Sequence, residues 1–254
     1  MKKFDLKSVT RPNIWDLSPY SSARDEFTGS EGIFLDANEN PYGEFNRYPD
    51  PHQRILKAEL AKLKGVSSEN VFIGNGSDEV IDLIYRVFCE PGKDKVIICP
   101  PTYGMYEVSA NINNVGILEI PLKDDFQLDI KSILAQRAKC IFVCSPNNPT
   151  GNILQNIEQL LNEFNGIVVV DEAYIDFSID NSVVKQITAH PNLVVMQTFS
   201  KARALAGARV GIAFADKAII KLMGKTKPPY NVSELNQREA INTLRDKELY
   251  KQRV

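Results

Sequence analysis

Asp171-Glu-Ala-Tyr174 and, later in the chain, Ser200-Lys201 each follow a run that is too apolar for a surface strand. Gly166-Ile-Val-Val-Val170 leads into Asp171, and Leu193-Val-Val-Met196 leads toward Lys201. Because buried parallel strands end at one edge of a sheet, this carboxylate and amine can hold a ring-shaped ligand between them, with Arg209 free to neutralise a phosphate. The sequence therefore predicts a ligand site at the edge of a buried sheet.

Strand and helix patterns alternate on both sides of these runs. Further strands are predicted at residues 71–74, 95–99, 116–121, 140–145 and 210–215, and helices at 55–65, 78–88, 103–111, 130–138, 157–164, 217–223 and 234–244. Continuously apolar strands suit a sheet that is covered on both faces. We therefore predict the α/β class, with a mostly parallel central sheet and helices on both of its faces.

The two ends of the chain differ from this alternating part. Residues before about 55 are rich in Pro, Asn, Tyr and Gly, which favour turns over periodic elements, so we predict an N-terminal arm over 1–54 and a large domain over 55–228. Residues 247–254 have helix-forming composition, but no Gly, Asn or Pro ends the helix. We expect 229–254 to be the start of a truncated C-terminal small domain.

Composition limits the classes of partner. The formal net charge is −2, and basic residues are spread singly among acidic ones, so a nucleic-acid or anionic-membrane surface is not expected. The N-terminus carries charge without an apolar stretch behind it, and nowhere do eighteen apolar residues run together. We predict a cytoplasmic protein.

Cysteine and histidine offer little catalytic chemistry. Cys89, Cys99, Cys140 and Cys144 lie in or beside apolar segments without Cys-x-x-Cys spacing, which indicates reduced core thiols. His52 and His190 are far apart, and each neighbours a proline in a predicted surface loop. This pattern excludes a histidine-rich metal site and argues against a histidine-based triad.

Two loops after strands carry possible ligand contacts. Gly74-Asn-Gly-Ser-Asp-Glu79 precedes a helix, whose first backbone N–H groups can bind an anion. It has neither the third glycine of a dinucleotide fingerprint nor the lysine of a P-loop, and the alternative is a tight turn that starts the helix. In Ser145-Pro-Asn-Asn-Pro-Thr-Gly151 an Asn amide can donate to a ring oxygen, or the segment can be a turn.

Asp171 and Lys201 are the candidates for chemistry. A carboxylate at the end of so apolar a strand is costly without a cationic or hydrogen-bonding partner, and a pyridinium nitrogen is one such partner. A partly desolvated lysine amine is nucleophilic and forms a Schiff base with an aldehyde. The alternatives are a helix or turn cap for Asp171 and an exposed ion pair for Lys201.

Together these motifs resemble the fold-type I pyridoxal-phosphate enzymes, and within them the class I/II aminotransferases. Among those the resemblance is greatest to the enzymes that act on histidinol phosphate. It covers almost the whole chain, in order, through residues 35–42, 46–51, 74–79, 101–106, 145–151, 171–174, 200–201 and 227–232.

The resemblance implies pyridoxal 5'-phosphate as the cofactor and the large domain as its binding domain. Lys201 would bind the cofactor covalently and then move the proton between substrate and cofactor carbons, Asp171 would hold the ring nitrogen, and Tyr103 would stack on the ring. By the same resemblance, Asn148 and Tyr174 would hydrogen-bond the ring hydroxyl. The phosphate would be held by Ser77, Asp78, Ser200 and Arg209.

A homodimer and a substrate pair are also implied. Tyr48 would reach the neighbouring subunit's site, and Tyr20 and Asn38 would meet the substrate. The reaction would transfer an amino group between glutamate or 2-oxoglutarate and the histidinol phosphate pair, within histidine biosynthesis. The alternatives are an aromatic aminotransferase, a phosphothreonine-type decarboxylase, or a truncated cofactor-binding subunit without catalytic activity.

The sequence departs from the family's pattern in two places. After the lysine the family usually has an aromatic residue and glycine, whereas this chain has Ala202-Arg-Ala204, so Arg203 would either disturb local packing or point outward. The family's small domain carries an arginine that holds the substrate's acidic group, and that role corresponds to no residue of this chain.

Overall fold

The computed structural model describes residues 4–20, 33 and 35–254. Within these residues one sheet contains the strands β1 (Val71–Asn75), β2 (Lys95–Ile98), β3 (Gly116–Glu119), β4 (Cys140–Cys144), β5 (Ile167–Asp171), β6 (Leu193–Thr198) and β7 (Val210–Ala215). Their spatial order is β1-β7-β6-β5-β4-β2-β3. Among the described strands β7 alone runs opposite to the other six, which confirms the prediction of a mostly parallel sheet.

The strands are buried because helices cover both faces of the sheet. The described helices are α1 (Leu6–Val9), α2 (Pro12–Trp15), α3 (Arg54–Lys64), α4 (Ser77–Phe88), α5 (Met105–Ile112), α6 (Ile130–Leu134), α7 (Ile157–Glu163), α8 (Lys217–Thr226), α9 (Glu234–Arg245) and α10 (Lys247–Arg253). Strand residues alternate between two apolar clusters: Val169 packs with α4, α5 and α8, whereas Val168 and Val170 pack with α3 and α7. The continuous apolar runs of the sequence thus fill two cores at once.

Most predicted helices and strands are found within a few residues of their expected ends. Helix α3 ends where predicted, at Gly65, whose φ of 69° is easily adopted by glycine. The helix predicted over 130–138 ends early, at Leu134, because the chain must turn into β4 at Cys140.

Two parts of the chain differ from the sequence-based expectation. The arm is helical at α1 and α2: the Asp5 side chain accepts from the Lys7 N–H to cap α1, Pro12 suits the first turn of α2, and Val9 and Ile14 are buried. The connection from β5 to β6, for which no helix was predicted, consists of short 3-10 turns at Ile175–Phe177, Ile179–Asn181 and Val184–Thr188.

Arg203 neither disturbs the packing nor points outward. Only 8% of the residue is exposed, and its guanidinium lies 3.7 Å from the centre of the Tyr250 ring on α10. The Arg203 carbonyl also accepts a hydrogen bond from the Arg253 side chain at 3.1 Å. None of the helices in the described ranges combines the length and the hydropathy that crossing a lipid bilayer requires.

We predict that Gly211→Ala destabilises the fold by about 1–3 kcal/mol or more, because a methyl group would overlap the Gly76 carbonyl carbon and the Ser77 nitrogen, which cannot easily move aside. The matched control is Gly207→Ala, where a methyl group would meet no atom within 4 Å and should change stability by less than about 0.5 kcal/mol. The measurement is the denaturant-induced unfolding free energy of both variants. Equal stability of the two would contradict the close packing of β7 against the start of α4.

Candidate functional site

The carboxyl ends of β4, β5 and β6 and the start of α4 enclose a cavity of about 180 Å³. Apart from Tyr48, which is predicted to act in the neighbouring subunit's site, every residue predicted to bind the cofactor lines this cavity. Its lining is Ser77, Asp78, Tyr103, Cys144, Asn148, Asp171, Ala173, Tyr174, Thr198, Ser200, Lys201, Ala206 and Arg209. The roles of these residues stay predictions, but their convergence follows from the parallel strands that carry them.

Asp171 is the buried anion of the cavity. It ends β5 and is 3% exposed. Oδ2 accepts a hydrogen bond from the Tyr106 hydroxyl at 2.6 Å, and Oδ1 accepts one from the Ala173 N–H at 3.0 Å. Burial raises the pKa of Asp171, and these two hydrogen bonds partly offset the rise. A cationic ligand nitrogen beside the carboxylate would offset it further.

Lys201 lies at the opening of the cavity, beyond the end of β6. Its ammonium is 5.3 Å from the centre of the Tyr174 ring, and its backbone carbonyl accepts from the Ala204 N–H at 2.8 Å. The residue is exposed, so the desolvation considered from the sequence is not found. Position distinguishes Lys201 from other surface lysines, because it shares the cavity with Asp171.

The other end of the cavity suits an anion. Helix α4 begins after Gly76, which has a φ of 79° and whose N–H donates to the Arg209 carbonyl at 2.8 Å. The first N–H groups of a helix lack partners within it and attract negative charge. The Ser200 hydroxyl lies on the same side, 3.0 Å from the Thr198 hydroxyl.

Arg209 is not free, contrary to the expectation from the sequence. Its Nη2 lies 3.0 Å from Oδ2 of Asp78, whose Oδ1 accepts from the Tyr103 hydroxyl at 3.3 Å. The carboxylate therefore fixes the guanidinium beside the start of α4, and the remaining N–H donors of Arg209 can still face an anion. Asp78 thus has a side-chain role in addition to the backbone role predicted for it.

The two adjacent asparagines of the 145–151 loop have different surroundings. Asn147 is buried, and its amide donates to the Pro101 carbonyl at 3.0 Å and to the Thr150 hydroxyl at 2.7 Å. Asn148 lines the cavity. Asn147 therefore ties this loop to the one before α5 and leaves Asn148 as the ligand-facing amide.

The arm residues predicted to meet substrate or a partner are not among the cavity's lining. Tyr20 is 71% exposed, and Asn38 is exposed as well. Tyr48 is 51% exposed and stacks on Tyr230 with ring centres 4.4 Å apart. The structure leaves all three on the surface of this single chain.

Sequence reasoning missed the buried residue that contacts Asp171. Tyr106 is fully buried, and although it ends the 101–106 motif, no site role was predicted for it. The available signal was its spacing: Tyr106 follows Tyr103 by three residues at the start of a helix, so both rings can lie on one side of α5.

The donors around the cavity fit a cofactor with a cationic ring nitrogen and a phosphate. A buried carboxylate is at one end, an amine is at the opening, and a helix start with a fixed guanidinium is at the other end. The opposite signs of charge at the two ends match the two ends of pyridoxal 5'-phosphate.

Comparison with known proteins agrees with this geometry. The family described as Aminotransferase class I and II matches residues 32–254. A histidinol-phosphate aminotransferase of Cytophaga hutchinsonii is 55% identical over 253 residues, which cover 96% of this chain and 73% of that protein.

Solved structures show the same fold. Histidinol-phosphate aminotransferase from Sinorhizobium meliloti in complex with pyridoxal-5'-phosphate superposes with a TM-score of 0.75 at 26% identity, over 82% of this chain and 59% of that one. L-threonine-O-3-phosphate decarboxylase from Porphyromonas gingivalis gives a TM-score of 0.72 at 25% identity, over 81% of this chain and 66% of that one. The present chain thus spans less than two thirds of either solved chain. By its sequence and its fold, it belongs to the class I and II aminotransferases and, within them, to the histidinol-phosphate aminotransferase family.

Proposed function

We propose that this chain catalyses pyridoxal-phosphate-dependent transamination between L-histidinol phosphate and 2-oxoglutarate, in histidine biosynthesis. The observation that carries the proposal is that Lys201, the buried carboxylate of Asp171 and the start of α4 line one cavity. The 55% identity to the Cytophaga hutchinsonii histidinol-phosphate aminotransferase supports this substrate pair.

The cofactor, when bound, supplies an electron sink for the negative charge that develops on the substrate carbon. Asp171 would keep positive charge on the ring nitrogen. Tyr103 would pack on the ring, and Asn148 and Tyr174 would donate to its oxygen. Lys201 would hold the cofactor covalently and then move a proton at the substrate carbon that bears the amino group.

The phosphate would be held at the start of α4. Arg209 is directed toward this helix start by its ion pair with Asp78 at 3.0 Å, and its remaining N–H donors would face the phosphate. The backbone of Ser77 and Asp78 at the start of α4 and the hydroxyl of Ser200 complete the set. A phosphate bound there would place the ring relative to Lys201.

We further propose a homodimer in which the arm completes the partner's site. Tyr42, Phe45 and Tyr48 are exposed aromatic residues in an irregular part of the arm. A second copy of the chain would cover them and receive Tyr48, and Tyr20 and Asn38 would meet its substrate. Residues 55–228 then form the cofactor-binding domain, and residues 229–254 begin a smaller one.

Neither nucleic acid nor membrane is part of this proposal, since charge is balanced along the chain. A cytoplasmic location is proposed as well. It is supported by four cysteines that are all buried and unpaired, which suits a reducing compartment.

We expect Lys201→Ala to lower the rate of amino transfer from histidinol phosphate to 2-oxoglutarate by about 100- to 10,000-fold, because the amine is the proton-transfer group. Borohydride reduction with the cofactor, followed by peptide mapping, should place the label on Lys201. The control is Lys217→Ala, which changes an exposed lysine of α8 and should alter neither readout.

Label on another lysine would refute the assignment, and release of carbon dioxide in place of amino transfer would favour a phosphothreonine-type decarboxylase. Transfer from aromatic amino acids instead of histidinol phosphate would indicate an aromatic aminotransferase.

Asp171→Asn should abolish most of the half-reaction yet stabilise the cofactor-free protein at neutral pH. The folded-state pKa of Asp171 is raised, so the penalty of ionisation is absent below the unfolded pKa and present above the folded one. The gain in unfolding free energy over wild type should therefore grow as pH rises from the ordinary carboxyl pKa toward the raised one. Denaturant unfolding of the cofactor-free protein at several pH values measures it.

The neighbouring carboxylate provides a matched comparison. Burial raises the pKa of Glu172 as well, but this carboxylate accepts three hydrogen bonds, from the Ser182 hydroxyl, the Val183 N–H and the Gln197 amide at 2.7–2.8 Å. Glu172→Gln would place an amide donor against one of these donors, so it should destabilise by about 1–3 kcal/mol. If Asp171→Asn lost as much unfolding free energy at pH 8 as Glu172→Gln, the predicted difference between the two carboxyl groups would be wrong.

Mixed dimers test the shared site. Co-expressed Tyr48→Phe and Lys201→Ala subunits should form hybrids with one unaltered site, and random pairing should restore about one quarter of wild-type activity. In the control, wild-type subunits are mixed with subunits carrying both changes. Because that mixture also contains wild-type dimers, the hybrids of both mixtures are purified by a different tag on each subunit; the control hybrids contain no unaltered site. Equal activity of the two kinds of hybrid, or a protein that stays monomeric at micromolar concentration, would rule out the exchange of Tyr48.

A further inference from the structure

Tyr106 is a fully buried tyrosine whose hydroxyl points at the carboxylate of the site. It donates to Oδ2 of Asp171 at 2.6 Å. Its ring stacks on Phe142 with centres 4.9 Å apart, and its backbone carbonyl accepts from the Tyr85 hydroxyl at 2.7 Å. The ring and the backbone of Tyr106 are thus held in place, and its hydroxyl lies against the Asp171 carboxylate and the neighbouring Cys144 sulfur.

The same ring also contacts a second wall of the cavity. Tyr103 and Tyr106 meet edge to face, with ring centres 5.6 Å apart and an angle of 85° between their planes. Tyr103 lines the cavity where the ring of the cofactor is proposed to stack. One buried residue therefore contacts both the carboxylate and the aromatic wall.

The surroundings of Asp171 make a hydrogen-bond donor important. Burial and the nearby Asp78 carboxylate both raise the pKa of Asp171, while Lys201 at the opening lowers it. Cys144 faces the carboxylate as well, and burial raises the pKa of its thiol to about 12, so it contributes no charge at neutral pH. On the side of Tyr103, burial, then the Asp78 carboxylate and then Asp171 raise the pKa of the Tyr103 hydroxyl to about 12.

Tyr106 acts only as a donor in this arrangement. Burial, followed by the charge of Asp171, raises its pKa well above the usual value, so the hydroxyl keeps its proton. A donor that keeps its proton favours the ionised form of its acceptor.

We propose that Tyr106 is a positioning residue for the transamination: its hydroxyl holds the Asp171 carboxylate ionised and in one orientation, so that the shared proton stays on the ring nitrogen of the cofactor. This inference rests on the proposed function. The bond it concerns, O–H to carboxylate, is nevertheless present in the chain itself and can be examined without cofactor.

Tyr106→Phe keeps the stacked ring and removes only the hydroxyl. Tyr85→Phe is the control: it removes a buried tyrosine hydroxyl whose 2.7 Å hydrogen bond goes to the backbone carbonyl of Tyr106, and it leaves the Tyr106 hydroxyl and its bond to Asp171 in place. A purely structural role for Tyr106 predicts that the two variants differ from wild type in stability alone.

The first measurement uses the cofactor-free protein. The infrared carbonyl band of protonated Asp171, identified by its loss in Asp171→Asn, is followed against pH. In Tyr106→Phe we expect its midpoint to move to higher pH than in wild type, and in Tyr85→Phe we expect no movement. If Tyr106→Phe does not fold, replacing Tyr106 by 3-fluorotyrosine, a stronger donor, should move the midpoint to lower pH.

The second measurement uses pyridoxal phosphate labelled with ¹⁵N at the ring. The nitrogen resonance in Tyr106→Phe should shift toward the unprotonated form, and the half-reaction with histidinol phosphate should slow about 10- to 100-fold, as expected for loss of a hydrogen bond to a charged group. An infrared midpoint equal to that of wild type, or the same shift in Tyr85→Phe, would overturn the proposal. Failure of wild type to bind the cofactor would refute the proposed function, while the infrared comparison would still decide the role of Tyr106.

Discussion

The site depends on one physical constraint, the burial of an acidic group at the end of β5. A buried carboxylate is unfavourable unless hydrogen bonds or a cation stabilise it. The chain supplies two donors to Asp171, the hydroxyl of Tyr106 and the N–H of Ala173, and leaves its cavity side for a cationic ligand. The proposed cofactor, with its cationic ring nitrogen, would complete an arrangement that folding leaves partly unsatisfied.

The opposite end of the cavity depends on close backbone packing. Gly211 lets β7 approach the turn at Gly76 and Ser77, where any larger side chain would overlap backbone atoms. This approach brings Arg209, which immediately precedes β7, beside the start of α4 and within 3.0 Å of Asp78. The antiparallel direction of β7 thus contributes to the proposed anion site, because β7 begins at the edge where β6 ends and so leaves Arg209, the residue before it, at that edge.

Much of this arrangement could be predicted from sequence because buried parallel strands leave a strong signal. The continuous apolar runs before Asp171 and before Ser200 located the edge of the sheet correctly. Partners distant in sequence could not be predicted: the pairing of Arg209 with Asp78 and the hydrogen bond from Tyr106 depend on how helices pack on the sheet. The helices α1 and α2 were missed because four-residue helices leave no periodic pattern.

The adjacent acids Asp171 and Glu172 show how the sheet separates two tasks. Successive residues of a strand point to opposite faces, so Asp171 faces Tyr106 and the cavity while Glu172 turns the other way, toward Ser182 and Gln197. Glu172 has its acceptors filled by the chain and fixes the 3-10 connection between β5 and β6, which begins beside Tyr174. The fully satisfied carboxylate holds the wall of the cavity in place, and the partly satisfied one is left to bind.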